Sequence, residues 1–216
     1  GKIDVEVLSQ IVDGIVKGCD IAGCKLLGGE TAEHPRQRDI DMSGFCTGII
    51  EENAEVSGDI IKAGDVVIGL ASSGLHSNGY SLINDMLWRQ KIFYRDMPEL
   101  LTPTTIYVPV INELMNEIPI LGMAHITGGG IPENLPRCIP DGLKAEVDYD
   151  SWERPEVFKK IAKAGDISEE EMRNVFNLGI GYCLVVPKEV EIDVQLRING
   201  HGLQSWTIGA IIDKGK

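Results

Sequence analysis

Val66-Val67-Ile68-Gly69-Leu70-Ala71-Ser72-Ser73-Gly74-Leu75-His76-Ser77-Asn78-Gly79 changes character halfway along its length. Residues 66–71 are a continuous apolar run, as expected of a strand covered on both faces. Residues 72–79 form a polar loop holding three hydroxyls, an amide and an imidazole. Residues 80–90 then carry Leu82, Ile83, Met86 and Leu87 at helical spacing. A strand, a donor-rich loop and a helix in this order set a fold of mixed helices and strands, with chemistry concentrated in the connection.

The same alternation extends in both directions. Upstream, Val5, Leu8, Ile11, Val12, Ile15 and Val16 mark a helix over 3–23 that stops at Gly23. Strands are expected at Cys24–Leu27 and Met42–Ile50, with an acidic, turn-like stretch from Glu51 to Gly58 and a domain boundary near 56–62. Downstream, helices are expected at Thr104–Met115, Pro155–Ala164 and Val190–Ile198, and a single helical turn at Pro132–Arg137. Ser168-x-x-Glu171 is a capping box for a further short helix. Strands are expected ending at His125–Thr127, and at Leu143–Val147, Tyr182–Val186 and Trp206–Ile212. The class is α+β, that is, mixed α/β.

Composition narrows the function classes. The chain has 216 residues, 43% of them hydrophobic, enough for a core. Lys and Arg total 20 against 33 Asp and Glu, a net charge of −13. A surface of that sign repels nucleic-acid backbones and anionic membranes, so neither partner is expected. It leaves room for a phosphorylated small molecule held in a local cradle. Cys19, Cys24, Cys46, Cys138 and Cys183 are an odd count without a tight framework, so free thiols and a reducing, cytoplasmic setting are expected. Cys19 and Cys24 could ligate a metal, but no second Cys or His pair completes a zinc site.

Three loops concentrate Gly with hydroxyl, amide or carboxylate groups, an arrangement that brings backbone N–H groups near an anion. In the first, Gly28-Gly29-Glu30-Thr31-Ala32-Glu33, the carboxylates of Glu30 and Glu33 suit Mg²⁺; a tight turn with solvated acids is the alternative. The second is Ser72–Gly79, where His76 can act as acid or base near neutrality, or the loop is an ordinary turn leading into a helix. The third is His125-Ile126-Thr127-Gly128-Gly129-Gly130-Ile131-Pro132-Glu133-Asn134, a fixed loop meeting a ligand or a short flexible linker. Asn177-Leu178-Gly179-Ile180-Gly181 is either a fourth close approach or the start of a strand. No phosphate-binding Gly-Lys-Ser/Thr loop, dinucleotide fingerprint or nucleophile elbow is present.

Taken in order, these loops resemble the phosphoribosylformylglycinamidine cyclo-ligase (aminoimidazole ribonucleotide synthetase) family of purine biosynthesis. The matching strings are residues 28–33, 72–82, Leu100-Leu101-Thr102-Pro103-Thr104, 124–137 and 176–181, and the resemblance runs from Lys2 to Ile212. Selenophosphate synthetase and thiamine-monophosphate kinase share the general plan without these strings. The resemblance implies an ATP-dependent, Mg²⁺-assisted ring closure of formylglycinamidine ribonucleotide. It further implies a homodimer joined through the first domain and an active site between domains.

By the same resemblance, Gly28, Gly29, Glu30 and Thr31 would face the nucleotide, with Glu30 on the metal. Ser73, Gly74, Ser77 and Asn78 would bind substrate or the transferring phosphate, with His76 as the catalytic acid–base. Thr127, Gly128, Gly129 and Asn134 would hold the ribose phosphate. Residues 1–57 would be the C-terminal portion of an ATP-binding, dimerising domain, and residues 58–216 a complete α/β sandwich domain. The chain has no Met at its start, and the family's longer Gly-rich N-terminal part is expected to precede it. His34-Pro35-Arg36-Gln37-Arg38 departs from the family pattern, so no contacts are carried over for 34–41.

Overall fold

The computed structural model describes residues 3–33 and 40–215. The departure at 34–38 therefore lies outside the described residues. The chain divides into two compact units, Gly1–Glu55 with Ile106–Pro109, and Val56–Thr105 with Val110–Lys216.

The first unit is built on α1 (Val5–Ala22). Asp4 caps it by accepting N–H bonds from Glu6 (3.0 Å) and Val7 (3.2 Å), and the chain leaves it through Gly23 in the left-handed conformation. No residue of α1 is buried. The strands expected at 24–27 and 42–50 are not formed among the described residues. A strand exists only against a hydrogen-bonded neighbour, and the described part of this unit offers none. Phe45 and Ile49 are 97% and 99% exposed, so their apolar character has no core to enter.

The second unit is a five-stranded antiparallel sheet ordered β2-β4-β1-β5-β3. In chain order its elements are β1 (Val66–Ala71), α2 (Tyr80–Trp88), α3 (Val108–Glu117, of which Val110 onward falls in this unit), β2 (Gly122–His125), α4 (Gly130–Asn134), β3 (Leu143–Val147), α5 (Glu156–Gly165), α6 (Glu169–Val175), β4 (Ile180–Val186), α7 (Glu191–Gly200) and β5 (Ser205–Asp213). β1 is central, pairing Val66 with both Val186 and Ala210.

The apolar run of β1 has its expected cause. Val67, Cys183 and Val185 join a core with Ile83 and Met86 of α2, Phe158 and Ile161 of α5, and Met172 of α6. Val66, Ile68, Leu70, Leu184 and Val186, which alternate with them, are buried too, and α7 packs on β1 and β5. At ~25 cal/mol per Å² of apolar area, this two-sided burial is the main term holding the unit together.

Most downstream expectations hold, including β3 at Leu143–Val147 and the Ser168 cap, whose Oγ accepts from Glu171 N at 3.2 Å. α3 begins four residues later than expected. Pro109 lacks an N–H and disfavours helix in the residue before it, so it fits only in a first turn. No helix among the described residues is long and apolar enough to cross a membrane.

Candidate functional site

Four loops of the second unit meet beside the paired ends of β1, β2 and β4. β1 runs out into Ser72–Gly79, and β2 into Thr127–Asn134. β4 is entered through Asn177–Gly179. Residues 102–105 lie alongside. Because β4 is antiparallel to its neighbours, its first residues lie where β1 and β2 end; His125 pairs with Tyr182, and Leu70 with Tyr182.

The Ser72–Gly79 loop is fixed by bonds that reach far along the chain. Ser73 Oγ donates to Pro103 O (2.6 Å), and Ser77 Oγ lies 3.3 Å from Thr104 Oγ1. Ser72 N donates to Gly179 O (2.8 Å). His76 is 4% exposed with φ at +57°, and its Nε2 accepts N–H bonds from Ser73 (3.2 Å) and Thr105 (3.4 Å). An Nε2 that accepts is unprotonated, so the ring hydrogen sits on Nδ1. Burial, and secondarily the His125 imidazole 6.4 Å away, lower the His76 pKa to about 4. His76 is therefore a neutral bracket at physiological pH. Acid–base work there would require both amide bonds to be released.

His125 closes the end of β2. It is an exposed residue, but its ring stacks on Tyr182 at 6.0 Å, and this local desolvation lowers its pKa. Desolvation likewise raises the Tyr182 phenol.

The glycine-rich turn is held from beneath. Asn134, 3% exposed, donates from Nδ2 to Gly130 O (2.8 Å) and Gly128 O (3.1 Å), and its Oδ1 accepts from Thr127 Oγ1 (3.1 Å). Gly130 has φ +58°, and a Cβ there would overlap the Arg173 carbonyl at the end of α6. Gly79, with φ +77°, starts α2 at a point where a Cβ would overlap the Phe176 ring. These two glycines are required by close approach of neighbouring elements.

The structure thus brings Ser73, Gly74, His76, Ser77, Asn78, Thr127, Gly128, Gly129 and Asn134 into one loop cluster. Ser73, Ser77 and Gly128 are exposed, Asn78 and Thr127 half-buried, and Gly74, His76 and Asn134 buried. Asn134 shapes the turn and does not offer its amide to solvent. Gly28, Gly29, Glu30 and Thr31 belong to the first unit, where all four are exposed and lack regular structure. A Cβ at Gly28 or Gly29 would meet open space, so no packing within the described residues demands glycine there.

Among the described residues of the second unit, two clefts are candidate sites. One, of about 390 Å³, is lined by His76, Ser77, Tyr80, Pro103 and Thr104 and belongs to the loop cluster. The other, of about 570 Å³, is larger but carries Glu146, Asp148 and Glu191 against a single Lys188. Three carboxylates make it a poor receptor for phosphate, so the smaller cleft is the better candidate.

A metal fits only partly. Among the described residues no group of three or more His, Cys, Asp or Glu side chains is placed to hold one. Glu33 Oε1 accepts from Ile3 N (2.7 Å), and Glu30 is the other carboxylate of that loop. Mg²⁺ is often held by one or two carboxylates plus substrate phosphates, so Glu30 is compatible with a metal ligand but does not make a site alone.

Sequence reasoning marked 177–181 as a close approach or a strand start but gave no role to Asn177, which is fully buried. Its Nδ2 donates to Gly74 O (2.9 Å), and its Oδ1 accepts from Gly179 N (2.8 Å) and Ser72 Oγ (3.0 Å). The signal available was its place in Asn-Leu-Gly-Ile-Gly, where Leu178 takes φ +52° and Trp152 Nε1 donates to Leu178 O (2.9 Å).

Comparison with known proteins agrees with the fold. Residues 62–216 match the family described as AIR synthase related protein, C-terminal domain, and residues 1–50 the corresponding N-terminal domain. A protein of Prochlorococcus marinus (strain MIT 9313) named phosphoribosylformylglycinamidine cyclo-ligase is 46% identical over 98% of this chain. One of the same name from Myxococcus xanthus (strain DK1622) is 43% identical over 98% of it. The chain spans about 65% of the length of these curated relatives. Among solved structures, a hydrogenase maturation protein HypE superposes with a TM-score of 0.70 at 17% identity, over 100% of this chain and 66% of that one. Thiamine monophosphate kinase from Aquifex aeolicus gives 0.61 at 16% identity, over 100% and 68%. At such identities the likeness is one of fold.

Proposed function

The chain belongs to the AIR synthase related protein family, and from that premise we propose that the whole protein it represents closes the imidazole ring of formylglycinamidine ribonucleotide in an ATP-dependent reaction. The observation that carries this reading is the 43–46% identity to cyclo-ligases over 98% of the chain. The loop cluster supplies a physical setting for it.

In this reading ATP supplies the phosphoryl group that turns the formamide oxygen into a leaving group, and Mg²⁺ offsets phosphate charge. The amidine nitrogen then bonds to the formyl carbon, and the carbon–oxygen bond breaks with release of phosphate. Such chemistry depends on positioning and charge neutralisation more than on a protein nucleophile. The exposed hydroxyls of Ser73 and Ser77, the amide of Asn78 and the start of α2 at Gly79 would bind substrate or the transferring phosphate. Thr127, Gly128 and Gly129 would hold the ribose phosphate, with Asn134 bracing their turn. His76, neutral and bonded through Nε2, would hold Ser73 and Thr105 in place; its expected acid–base role gives way to this one at neutral pH. Gly28, Gly29, Glu30 and Thr31 would face the nucleotide, with Glu30 contributing one metal ligand.

The same reading assigns residues 1–57 to an ATP-binding, dimerising domain and 58–216 to the substrate-loop domain. Exposed apolar side chains such as Val12, Ile15, Val16, Phe45 and Ile49 support association through the first unit as a homodimer. Five free cysteines suit a cytoplasmic protein.

Phosphate release from MgATP, with and without formylglycinamidine ribonucleotide, tests the reading in the full-length protein. Substrate-dependent release with formation of aminoimidazole ribonucleotide is expected. Release with a stable phosphorylated substrate and no ring would point instead to a small-molecule kinase of the same fold.

A further inference from the structure

We infer that Asn177 is a positioning residue that latches the Ser72–His76 turn, and through it residues 103–105, into one fixed arrangement. Its effect on rate, though not its effect on loop order, rests on the cyclo-ligase reading. Asn177 is fully buried, yet its side-chain hydrogen bonds to Gly74, Ser72 and Gly179 all go to loops of the cluster. Its Nδ2–H reaches Gly74 O at 2.9 Å, 103 residues away in sequence. Its Oδ1 takes Gly179 N–H at 2.8 Å and Ser72 Oγ–H at 3.0 Å, the latter hydroxyl shared with Gly74 O at 2.9 Å.

The bonds continue outward from there. Ser72 N donates to Gly179 O, Ser73 N to His76 Nε2, Ser73 Oγ to Pro103 O, and Thr105 N to the same His76 nitrogen. A single carboxamide thus ties the start of β4 to the loop after β1, which in turn grips the segment before α3. Only a side chain with one donor and one acceptor at this spacing satisfies both loops at once. A carboxylate keeps the acceptor and loses the donor. An ordinary core fastener would stabilise the unit as a whole. A latch confined to these loops loosens them first.

Asn177→Asp in the full-length protein separates the two. Facing Gly74 O with a carboxylate removes one bond and adds a repulsion, worth about tenfold or more in local opening. Amide exchange in 72–76 and at Thr104 and Thr105 is expected to quicken about tenfold while β3 and α7 keep wild-type rates. In the ring-closure assay kcat at pH 7.5 is expected to fall about tenfold, with KM for ATP within about twofold. Burial raises the pKa of the introduced acid, so acidification protonates it and restores a donor to Gly74 O. The ratio of variant to wild-type kcat should therefore rise between pH 7.5 and 5.5. Exchange that is unchanged, or that quickens equally everywhere, overturns the latch. So does a kcat ratio that stays flat with pH. Absence of ring closure in the wild-type protein would sink the activity reading instead, leaving the exchange result to decide the latch.

Discussion

Replacing Gly79 by Ala tests whether the loop cluster is shaped by close packing or by local turn preference. Gly79 lies at the start of α2 with φ +77°, and its carbonyl accepts from Leu82 N and Ile83 N, both at 3.1 Å. A Cβ at this position would overlap the ring of Phe176, which is 1% exposed and packs 6.0 Å from Phe158. Two penalties add. A non-glycine residue in the left-handed region costs about 1–2 kcal/mol. Forcing a methyl into a packed core costs about 1–3 kcal/mol more. The sum, about 2–5 kcal/mol, is a large part of the ~5–15 kcal/mol stability of an ordinary domain. Urea unfolding monitored by tryptophan fluorescence should show a lower midpoint with an unchanged slope. Gly28→Ala is the control: its Cβ meets open space and its φ is not in the left-handed region, so the change should stay within about 0.5 kcal/mol. A Gly79→Ala midpoint within error of wild type would refute the reasoning, because it would mean that neither the backbone conformation nor the Phe176 contact constrains this position.

Two further outcomes follow from the same geometry. The folded pKa of His76 near 4 lies below its unfolded value of 6.5, so the unfolded chain binds the proton first as pH falls. The stability this group contributes is complete above pH 6.5, declines below it and is gone below pH 4, a swing of about 3 kcal/mol. Unfolding free energies at pH 7 and 4.5 should therefore differ less in His76→Gln than in wild type; equal differences would show that the imidazole is not held neutral. Asn134→Ala strips the donors from Gly128 O and Gly130 O and should cost about 2 kcal/mol by urea titration, with a raised KM for the ribonucleotide substrate. A fully stable variant with wild-type KM would remove Asn134 from the turn's support.

What local patterns could reveal, they revealed. The apolar run of β1, the helical spacing of α1 and α2, and the Ser168 cap depend on neighbours a few residues away. The three donor-rich loops were visible for the same reason, since their Gly, Ser, Thr and Asn residues are crowded together in the chain. Which of those polar groups face solvent was not visible. Asn134 and Asn78 look alike as letters, but one is turned beneath its loop and the other is half-open. The acid–base reading of His76 rested on the near-neutral pKa of an unperturbed imidazole; its burial against Ser73 and Thr105, which shifts that pKa, is a product of folding.

Within the second unit, the order of helices and strands, and the two polar, Gly-rich loops that follow β1 and β2, were set by periodicity and composition along the chain. The partnership of residues far apart was decided by the closure of the sheet. Antiparallel pairing of β1 with β4 places Asn177 against Gly74 across 103 residues. The same dependence on distant partners explains the missing strands at 24–27 and 42–50. Extended segments become sheet only when another strand satisfies their backbone, and no periodicity encodes where that partner is.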